Sequence, residues 1–253
     1  MVAATSSRRP RACSVSSRHE VERHACFLAP ERNTRERASF IIEDVTARLP
    51  LLIFPYNGNG IEALDALGEA WELVAFIDDT PSKHGLQPQG WRVMGRDALA
   101  AWPHARVLAV PGGPASFRER LRVIDSLGVP ADRYARVVHP AAGLGRHVQL
   151  GCNVLLMAGV VVTSNAAVED HVCVLPNTVI HHDAVVGRGS LVGSNVTIAG
   201  SVRVGANCYV GSGSSIMNGL TLGAGTLVGL GSTVIRDTVP GSRVAGCPAR
   251  PLP

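Results

Sequence analysis

Residues 144–239 read, in units of six, LGRHVQ LGCNVL LMAGVV VTSNAA VEDHVC VLPNTV IHHDAV VGRGSL VGSNVT IAGSVR VGANCY VGSGSS IMNGLT LGAGTL VGLGST VIRDTV. All sixteen units begin with Leu, Ile or Val, although only 46% of the chain is hydrophobic. An uninterrupted period of six is typical of a parallel β-helix. Because one turn of such a coil cannot bury its own apolar face, its stability comes from stacking turn on turn.

The fourth and fifth positions of the unit predict how the coil is built. The fourth position is Asn, Gly or Asp in thirteen of the sixteen units, and these residue types tolerate the positive φ of a sharp corner. The fifth is small or β-branched in every unit except at Leu220, as a side chain pointing into a narrow prism requires. We therefore expect short strands joined by corners, and no helix, over this stretch.

Upstream of the repeat the pattern changes to strands that alternate with helices. We predict strands at residues 51–55, 72–77, 106–110 and 135–138 and helices at residues 61–70, 96–102 and 114–127. This alternation predicts a small parallel sheet covered on both faces. Ligands of such sheets bind beyond the carboxyl ends of the strands, which is where the turn at residues 57–60 and the acidic pair Asp78 and Asp79 fall.

The turn and the acidic pair together indicate a nucleotide-bearing ligand. Backbone amides at Gly58, Asn59 and Gly60 are suited to receiving a phosphate. Asp78 follows Gly58 by twenty residues, about the distance at which nucleotide-binding sheets place an acid on ribose hydroxyls. The first fingerprint glycine is absent, however, and a glycine-rich turn of this kind often serves packing alone.

Composition and charge argue against several other classes of protein. The net charge is +4, much of it carried by residues 1–48, so the remainder is nearly neutral and a nucleic-acid partner is not expected. No apolar run approaches the length of a membrane span. The six cysteines show no paired spacing, which predicts reduced thiols in a cytoplasmic protein. Residues 1–48, rich in Arg and Ser, are predicted to be a disordered extension.

His181 and His182 are exceptional within the repeat. They occupy the second and third positions of the unit that begins at Ile180, where most other units carry small or turn-forming residues. An imidazole titrates near neutral pH and can take a proton from an attacking amine or hydroxyl. The following carboxylate can hold the ring in one tautomer. We therefore predict His182 as a general base oriented by Asp183, although Asp also suits a corner for structural reasons. His147 and His171, both at corner positions, are predicted to be structural or solvent-facing.

The chain resembles the acetyltransferases of the NeuD and PglD family, which act on sialic acid or on nucleotide-linked amino sugars. The resemblance covers about residues 51–252 and rests on the α/β segment, His139-Pro140, the unit Ile180-His181-His182-Asp183 and the closing run Gly246-Cys247-Pro248-Ala249-Arg250. It implies a left-handed β-helix with three units per coil, assembled as a homotrimer. It also implies that acetyl-CoA lies in the groove between neighbouring prisms.

The resemblance also implies roles for individual residues. The family's catalytic base falls on His182 and its orienting acid on Asp183. Acetyl-CoA contacts in later coils correspond to Ala199, Gly200 and Ser212. The contacts to the acceptor transfer to Gly58, Asn59, Gly60, Asp78 and Asp79, with His181 also assigned to the substrate site. Leu191 stands where some members carry a second active-site His, and Leu cannot donate the hydrogen bond that an imidazole could.

We therefore predict four segments, with a left-handed β-helix as the catalytic part. Residues 1–48 are a basic extension, 49–139 a Rossmann-like acceptor-binding domain, 140–239 the left-handed β-helix acyltransferase domain and 240–253 a tail. The predicted reaction moves acetyl from acetyl-CoA to the amine of a nucleotide-linked amino sugar. The protein is predicted to be a cytoplasmic homotrimer without a metal, nucleic acid or membrane partner.

Three alternatives remain open at this point. The acceptor could be the hydroxyl of a sialic-acid-like sugar or another small amine. A zinc enzyme is a weaker alternative, because three protein ligands are needed and the adjacent His181 and His182 are not expected to converge on one ion. The last alternative, of a different class, is a trimeric nucleotide-binding scaffold without catalysis.

Overall fold

The computed structural model describes residues 48–252, and the extension predicted for residues 1–48 lies outside this range except for its last residue. A five-stranded sheet forms the first part of the described range. The strand order is β3-β4-β2-β1-β5, and every neighbouring pair is parallel except β3 with β4. The strands are β1 (Leu49–Phe54), β2 (Trp71–Ile77), β3 (Gly85–Leu86), β4 (Arg92–Met94) and β5 (Arg106–Ala109). The sequence did not predict β3 and β4, which are short.

The predicted helices are present but shorter than expected. They are α1 (Gly58–Glu62), α2 (Ala98–Ala101) and α3 (Arg120–Asp125), with single 3-10 turns at Pro81–Lys83, Ala131–Arg133, Ala63–Ala66 after α1 and Phe117–Glu119 before α3. Two of the five residues of α1 are glycine, which disfavours a longer helix. The first helical segment stops before Gly68, which has a φ of 55°.

A β-helix with three faces follows the sheet. Val161 pairs with Val179, and Val179 pairs with Thr197, so one coil takes eighteen residues or three units. The first face contains Gly143–Leu144, Val161–Val162, Val179–Ile180, Thr197–Ile198, Ser215–Ile216 and Thr233–Val234. The second contains Gln149–Leu150, Ala167–Val168, Val185–Val186, Arg203–Val204 and Thr221–Leu222. The third contains Arg136–Val138, Val154–Leu156, Cys173–Val174, Leu191–Val192, Tyr209–Val210, Leu227–Val228, Arg243–Ala245 and Arg250–Pro251.

The corners and the interior of the coil match the repeat. Fifteen of the sixteen fourth positions have φ between 52° and 74°, and Asp237 is the exception. The first position of every unit is buried except at Leu144 and Leu150. Residues 144–239 contain no helix. The predicted fold class, an α/β sheet followed by a left-handed parallel β-helix, is confirmed.

One predicted strand belongs to the other part of the structure. We expected residues 135–138 to be the fourth strand of the α/β sheet, and this is wrong. Arg136–Val138 pairs with Val154–Leu156 and opens the third face of the β-helix. Its link to the sheet is a hydrogen bond from the Ala135 amide to the Val107 carbonyl at 2.9 Å, beside an isolated bridge between Tyr134 and Val107. Val138 is in phase with the repeat, but Asp132, one unit earlier, is not aliphatic, so the period of six gave a signal of only one residue.

The sheet is attached to the corners between the second and third faces, here called the docking edge. The fourth-position residues of this edge are Asn153, His171, Gly189, Asn207 and Gly225. The Asn153 side chain accepts from the Ala109 amide at 2.7 Å and donates to the Ala109 carbonyl at 2.8 Å. Asn207 donates to the Arg118 carbonyl at 2.8 Å. Polar contacts of coil corners thus hold the sheet on the β-helix.

His171 is buried on the docking edge, where its ring is neutral. Because the Asn153 amide oxygen is used by Ala109, its nitrogen faces His171 Nδ1 at 3.0 Å, and Nδ1 must accept. Burial lowers the pKa of His171 to about 4 from 6.5. The prediction of a structural role agrees with this environment.

Acid should destabilise the protein through His171. Between pH 6.5 and 4 the unfolded chain binds a proton that the folded chain does not, so the free energy of unfolding falls as the pH falls through this window. Asn suits the corner, where φ is 61°. The variant His171→Asn should therefore show a weaker pH dependence in urea unfolding than the wild type, whereas His104→Asn at an exposed site should not. Identical pH dependence for wild type and His171→Asn would contradict the assignment.

Candidate active site

His182 and Asp183 form a hydrogen-bonded pair on the corners between the first and second faces. We call this column the histidine edge; its third-position residues are Arg146, Ser164, His182, Gly200, Asn218 and Arg236. His182 Nδ1 lies 2.8 Å from Asp183 Oδ2, and the His182 side chain is 63% exposed. The other carboxylate oxygen of Asp183 accepts from Asn165 Nδ2 at 3.1 Å. The pair leaves Nε2 of His182 available to a substrate.

The Asp183 carboxylate is held in its charged form. Hydrogen bonds from His182 and then from Asn165 lower its pKa below the ordinary value. Its backbone has a φ of 59°, which directs the carboxylate back toward the preceding imidazole at the corner. A carboxylate in this position fixes which ring nitrogen carries the proton.

Gly200 gives the His182 ring the space it occupies. A Cβ added at Gly200 would lie 2.5 Å from Nε2 and 2.6 Å from Cε1 of His182. Ala199 and Gly200 therefore lie beside His182, one coil further along the same edge. Ser212, also predicted to contact acetyl-CoA, lies on the edge between the third and first faces, where its Oγ accepts from the Ser194 amide at 3.0 Å.

The predicted phosphate turn lies at the carboxyl end of β1. The Asn57 side chain accepts from the Gly60 amide at 2.9 Å and so caps α1. A Cβ at Gly60 would lie 2.4 Å from the Pro55 carbonyl, whereas a Cβ at Gly58 would meet nothing within 4 Å. Gly60 is thus required by packing, and Gly58 lies on the open side of the turn.

The acidic pair lies at the carboxyl end of β2 and is already engaged. Asp78, 3% exposed, accepts from Lys83 Nζ at 2.8 Å and from the Thr80 amide at 2.9 Å. Burial alone would raise the pKa of Asp78, but the hydrogen bonds from Lys83 and Thr80 hold it below its ordinary value. Asp79 forms a two-contact ion pair with Arg96, at 2.6 and 2.7 Å.

A cavity of about 90 Å³ separates the sheet from the third face of the β-helix. The residues that line it on the sheet side are Asn59, Gly112, Gly113 and Pro114, and those on the coil side are Leu175, Leu191, Val192, Gly193 and Tyr209. The cavity therefore joins one predicted acceptor residue, Asn59, to the position of Leu191.

One chain does not bring all the predicted site residues together. The cavity lies on the third face, and the docking edge borders that face. The histidine edge lies between the other two faces. His182 and His181 are therefore on a different side of the prism from the acceptor turn and Leu191.

Several solved structures share this architecture. The chain is similar to a mutant of perosamine N-acetyltransferase from Caulobacter crescentus in complex with CoA and GDP-perosamine, with 26% identity, a TM-score of 0.70 and coverage of 81% of this chain and 97% of that one. It is also similar to the acetyltransferase domain of PglB from Neisseria gonorrhoeae, with 25% identity, a TM-score of 0.68 and coverage of 81% and 100%. The resemblance to the NeuD and PglD family is confirmed.

The likeness to the NeuD and PglD family extends in fold to WeeI from Acinetobacter baumannii, with 21% identity, a TM-score of 0.71 and coverage of 81% and 100%. No protein-family model matches the sequence, and no curated protein matches it. The likeness to NeuD- and PglD-type proteins therefore rests on the structure and on the short motifs.

Three residues beside the candidate site were not predicted from the sequence: Lys83, Leu175 and Tyr209. Lys83 Nζ bridges Asp78 and the Tyr56 carbonyl, the latter at 3.1 Å, so a cation stands beside the turn. Leu175 and Tyr209 form the cavity wall next to Leu191. Leu175 stands at the second position of its unit, where Gly is the commonest residue, and Tyr209 is the one aromatic residue of the repeat. Lys83 lies outside the repeat and gave no such signal.

Two further features are absent from residues 48–252. Within this range there is no group of three or more His, Cys, Asp or Glu side chains placed to hold a metal ion. Nor does any helix in the described part of the chain combine the length and apolar character needed to cross a membrane.

Proposed function

We propose that this protein transfers acetyl from acetyl-CoA to the amino group of a nucleotide-linked amino sugar. The observation that carries the proposal is the His182–Asp183 pair, with Nδ1 bound to the carboxylate and the ring exposed on the histidine edge. Similar structures support it, because the perosamine N-acetyltransferase holds CoA and GDP-perosamine, and the PglB domain has been solved with acetyl-CoA. The predicted acetyltransferase class is confirmed by these likenesses.

The proposed reaction is a direct transfer between two bound substrates. The acceptor nitrogen attacks the thioester carbonyl carbon as Nε2 of His182 removes a proton from that nitrogen. The tetrahedral intermediate then expels the CoA sulfur, which leaves as the thiol after receiving the proton from His182. Asp183 keeps Nδ1 protonated, so that Nε2 carries the lone pair that the reaction needs. A backbone amide stabilises the oxyanion, and holding both substrates in one groove lowers the entropic cost.

Acetyl-CoA is proposed to lie along the histidine edge. Ala199 and Gly200 continue this edge after His182, and successive coils are about 4.8 Å apart. Further along, Met217 and Ile235 expose apolar side chains, 46% and 38%, that suit the aliphatic arm of the coenzyme. Arg236 follows at the same edge and suits a phosphate.

The acceptor is proposed to bind at the carboxyl edge of the sheet. We assign Gly58 and Asn59 to the nucleotide phosphates, and the positive charge of Lys83 beside Tyr56 supports this assignment. Asp78 and Asp79 remain proposals for the ribose, and each would share its carboxylate with Lys83 or Arg96. We further propose a cytoplasmic protein, which the free thiols of Cys152, Cys173, Cys208 and Cys247 support.

A homotrimer is proposed because the two halves of the site lie on different sides of one prism. A neighbouring copy that presents its histidine edge to the cavity would bring His182 and His181 to the acceptor. The same groove would place Ser212 of one copy near acetyl-CoA bound to another. Light scattering should therefore give the mass of a trimer, and a stable monomer with full activity would contradict a shared site.

The acceptor class is tested by incubation with acetyl-CoA and a panel of substrates. The panel contains nucleotide-linked 4-amino sugars, sialic acid and simple amines, and thiol release and product mass are recorded. We expect turnover with a nucleotide-linked amino sugar and an amide product. Faster turnover of a free amine or a sugar hydroxyl would overturn the proposed acceptor. No thiol release with any substrate, and no binding of acetyl-CoA by calorimetry, would favour a scaffold.

A further inference from the structure

Arg120 is a fully buried cation at the junction of the sheet and the β-helix. It is the first residue of α3 and is 1% exposed. Its guanidinium donates to three backbone carbonyls: His171 at 2.6 Å, Gly189 at 3.2 Å and Pro111 at 2.5 Å. His171 and Gly189 are corners of successive coils on the docking edge. Arg120 thus links two coils of the β-helix to Pro111, which follows strand β5 of the sheet.

Burying the charge of Arg120 costs free energy that its hydrogen bonds have to offset. Burial lowers the pKa of Arg120 to about 10, so the side chain stays charged at neutral pH. Within residues 48–252 no carboxylate pairs with it, and its charge is balanced only by carbonyl dipoles. Taking a charge out of water without an ion partner is expensive. An apolar side chain would avoid that desolvation cost, but it would leave the three buried carbonyls without a donor. The arginine is therefore explained by the carbonyls that it holds together and not by filling space.

The third carbonyl leads to the proposed acceptor site. Pro111 begins the turn at residues 111–114, which roofs the cavity. Gly112 has a φ of 101°, and a Cβ there would lie 3.5 Å from Leu191 Cδ1 and 3.7 Å from Arg120 Cβ. Asn59 donates to the Gly112 carbonyl at 3.4 Å. Contacts therefore run without a gap from the coil corners, through Arg120 and the turn, to Asn59.

We propose that Arg120 is a positioning residue that fixes the turn at residues 111–114, and with it Asn59, over the third face of the β-helix. It thereby sets where the acceptor's amino sugar lies relative to the catalytic groove. This inference rests on the proposed function for its kinetic consequence, while the ordering of the turn by Arg120 is independent of activity.

Arg118 provides a matched control. Its guanidinium also donates to coil carbonyls, of Gly225 at 3.4 Å and Gly241 at 2.9 Å, but makes no hydrogen bond to the turn at residues 111–114. Arg118→Met therefore removes an arginine from the same junction without releasing Pro111. Arg120→Met removes all three carbonyl contacts and keeps an unbranched side chain in the same place. Arg120→Lys keeps the charge and can still reach a carbonyl.

The kinetic test compares the KM values of the two substrates. Arg120→Met should raise the KM for the nucleotide amino sugar by about tenfold and leave the KM for acetyl-CoA nearly unchanged. Arg120→Lys should restore part of the acceptor affinity, and Arg118→Met should change neither constant. Equal increases in both KM values, or the same change in Arg118→Met, would reduce Arg120 to a general stabilising role and overturn the proposal.

Hydrogen exchange tests the inference without activity. The amides of Gly112, Gly113, Ala115 and Ser116 should exchange faster in Arg120→Met than in wild type or Arg118→Met. If Arg120→Met does not fold, Gly112→Ala provides the second variant, because a Cβ is strained at that φ and should displace the turn. Unchanged exchange in the turn of Arg120→Met, or unchanged acceptor KM in Gly112→Ala, would overturn the proposal. Lack of transfer by the wild type would instead refute the proposed function.

Discussion

Replacing His182 with Ala is expected to lower kcat by about a hundredfold or more. The imidazole is the one group on the histidine edge placed by a carboxylate to accept a proton, through the 2.8 Å contact of Nδ1 with Asp183. The side chain is 63% exposed, so its removal leaves the coil intact. The loss should appear in turnover at saturating substrate, measured by thiol release, with an unchanged thermal midpoint.

A matched histidine separates catalysis from corner geometry. His147 lies in a corner of the same edge, is exposed and has a φ of 59°, which Asn also adopts readily. The variant His147→Asn should keep wild-type turnover. Near-normal turnover by a folded His182→Ala protein would show that His182 is not the base.

The substitution Gly200→Ala, which adds a single methyl group, should also lower kcat strongly. The Cβ of Gly200→Ala would lie 2.5 Å from Nε2 of His182, so the exposed ring has to swing away. Displacement of the reacting nitrogen by about 1 Å can cost about a hundredfold in rate. We expect kcat to fall by that order, while the thermal midpoint stays close to wild type because φ at Gly200 is not positive.

Gly143→Ala is the control for this substitution. Gly143 is also a β-helix glycine without positive φ, and a Cβ there would come no closer than 3.9 Å to Val161. It should leave both turnover and stability unchanged. Full activity in Gly200→Ala would mean that the ring position seen here is not the one used in the reaction.

The coil was predictable because each repeat position specifies its own environment. A residue such as Asn177 or Gly213 at the fourth position fixes a left-handed corner, and Thr178 at the fifth fills the prism. The start of α3 was not predictable, because Arg120 at that position is held by contacts with the corners of the coil. The strand at Arg136–Val138 was assigned to the wrong sheet for the same reason: its partner, Val154–Leu156, is set by the first coil and not by local sequence.

Some features of the candidate site were predictable from neighbouring residues in the sequence, and others were not. His182 and Asp183 are adjacent in the chain, so their contact followed from local sequence. The ion pair of Lys83 with Asp78 depends on the 3-10 turn at Pro81–Lys83, and the cavity at Leu191 depends on how α3 and the turn at residues 111–114 dock on the coil. Those features arise from contacts between distant segments, which a pattern of residue types does not encode.

In the proposed reaction, acetyl passes to an amine with His182 as the base. The most direct test of this step is NMR of a reaction containing acetyl-CoA labelled with ¹³C at the acetyl carbonyl, a nucleotide-linked 4-amino sugar and either wild-type protein or His182→Ala. With the wild type the label should move from the thioester to an amide on the sugar nitrogen, and with the variant it should do so at least about a hundredfold more slowly. Label that stays in the thioester with the wild type, or that reaches the amide equally fast with both proteins, would contradict this mechanism.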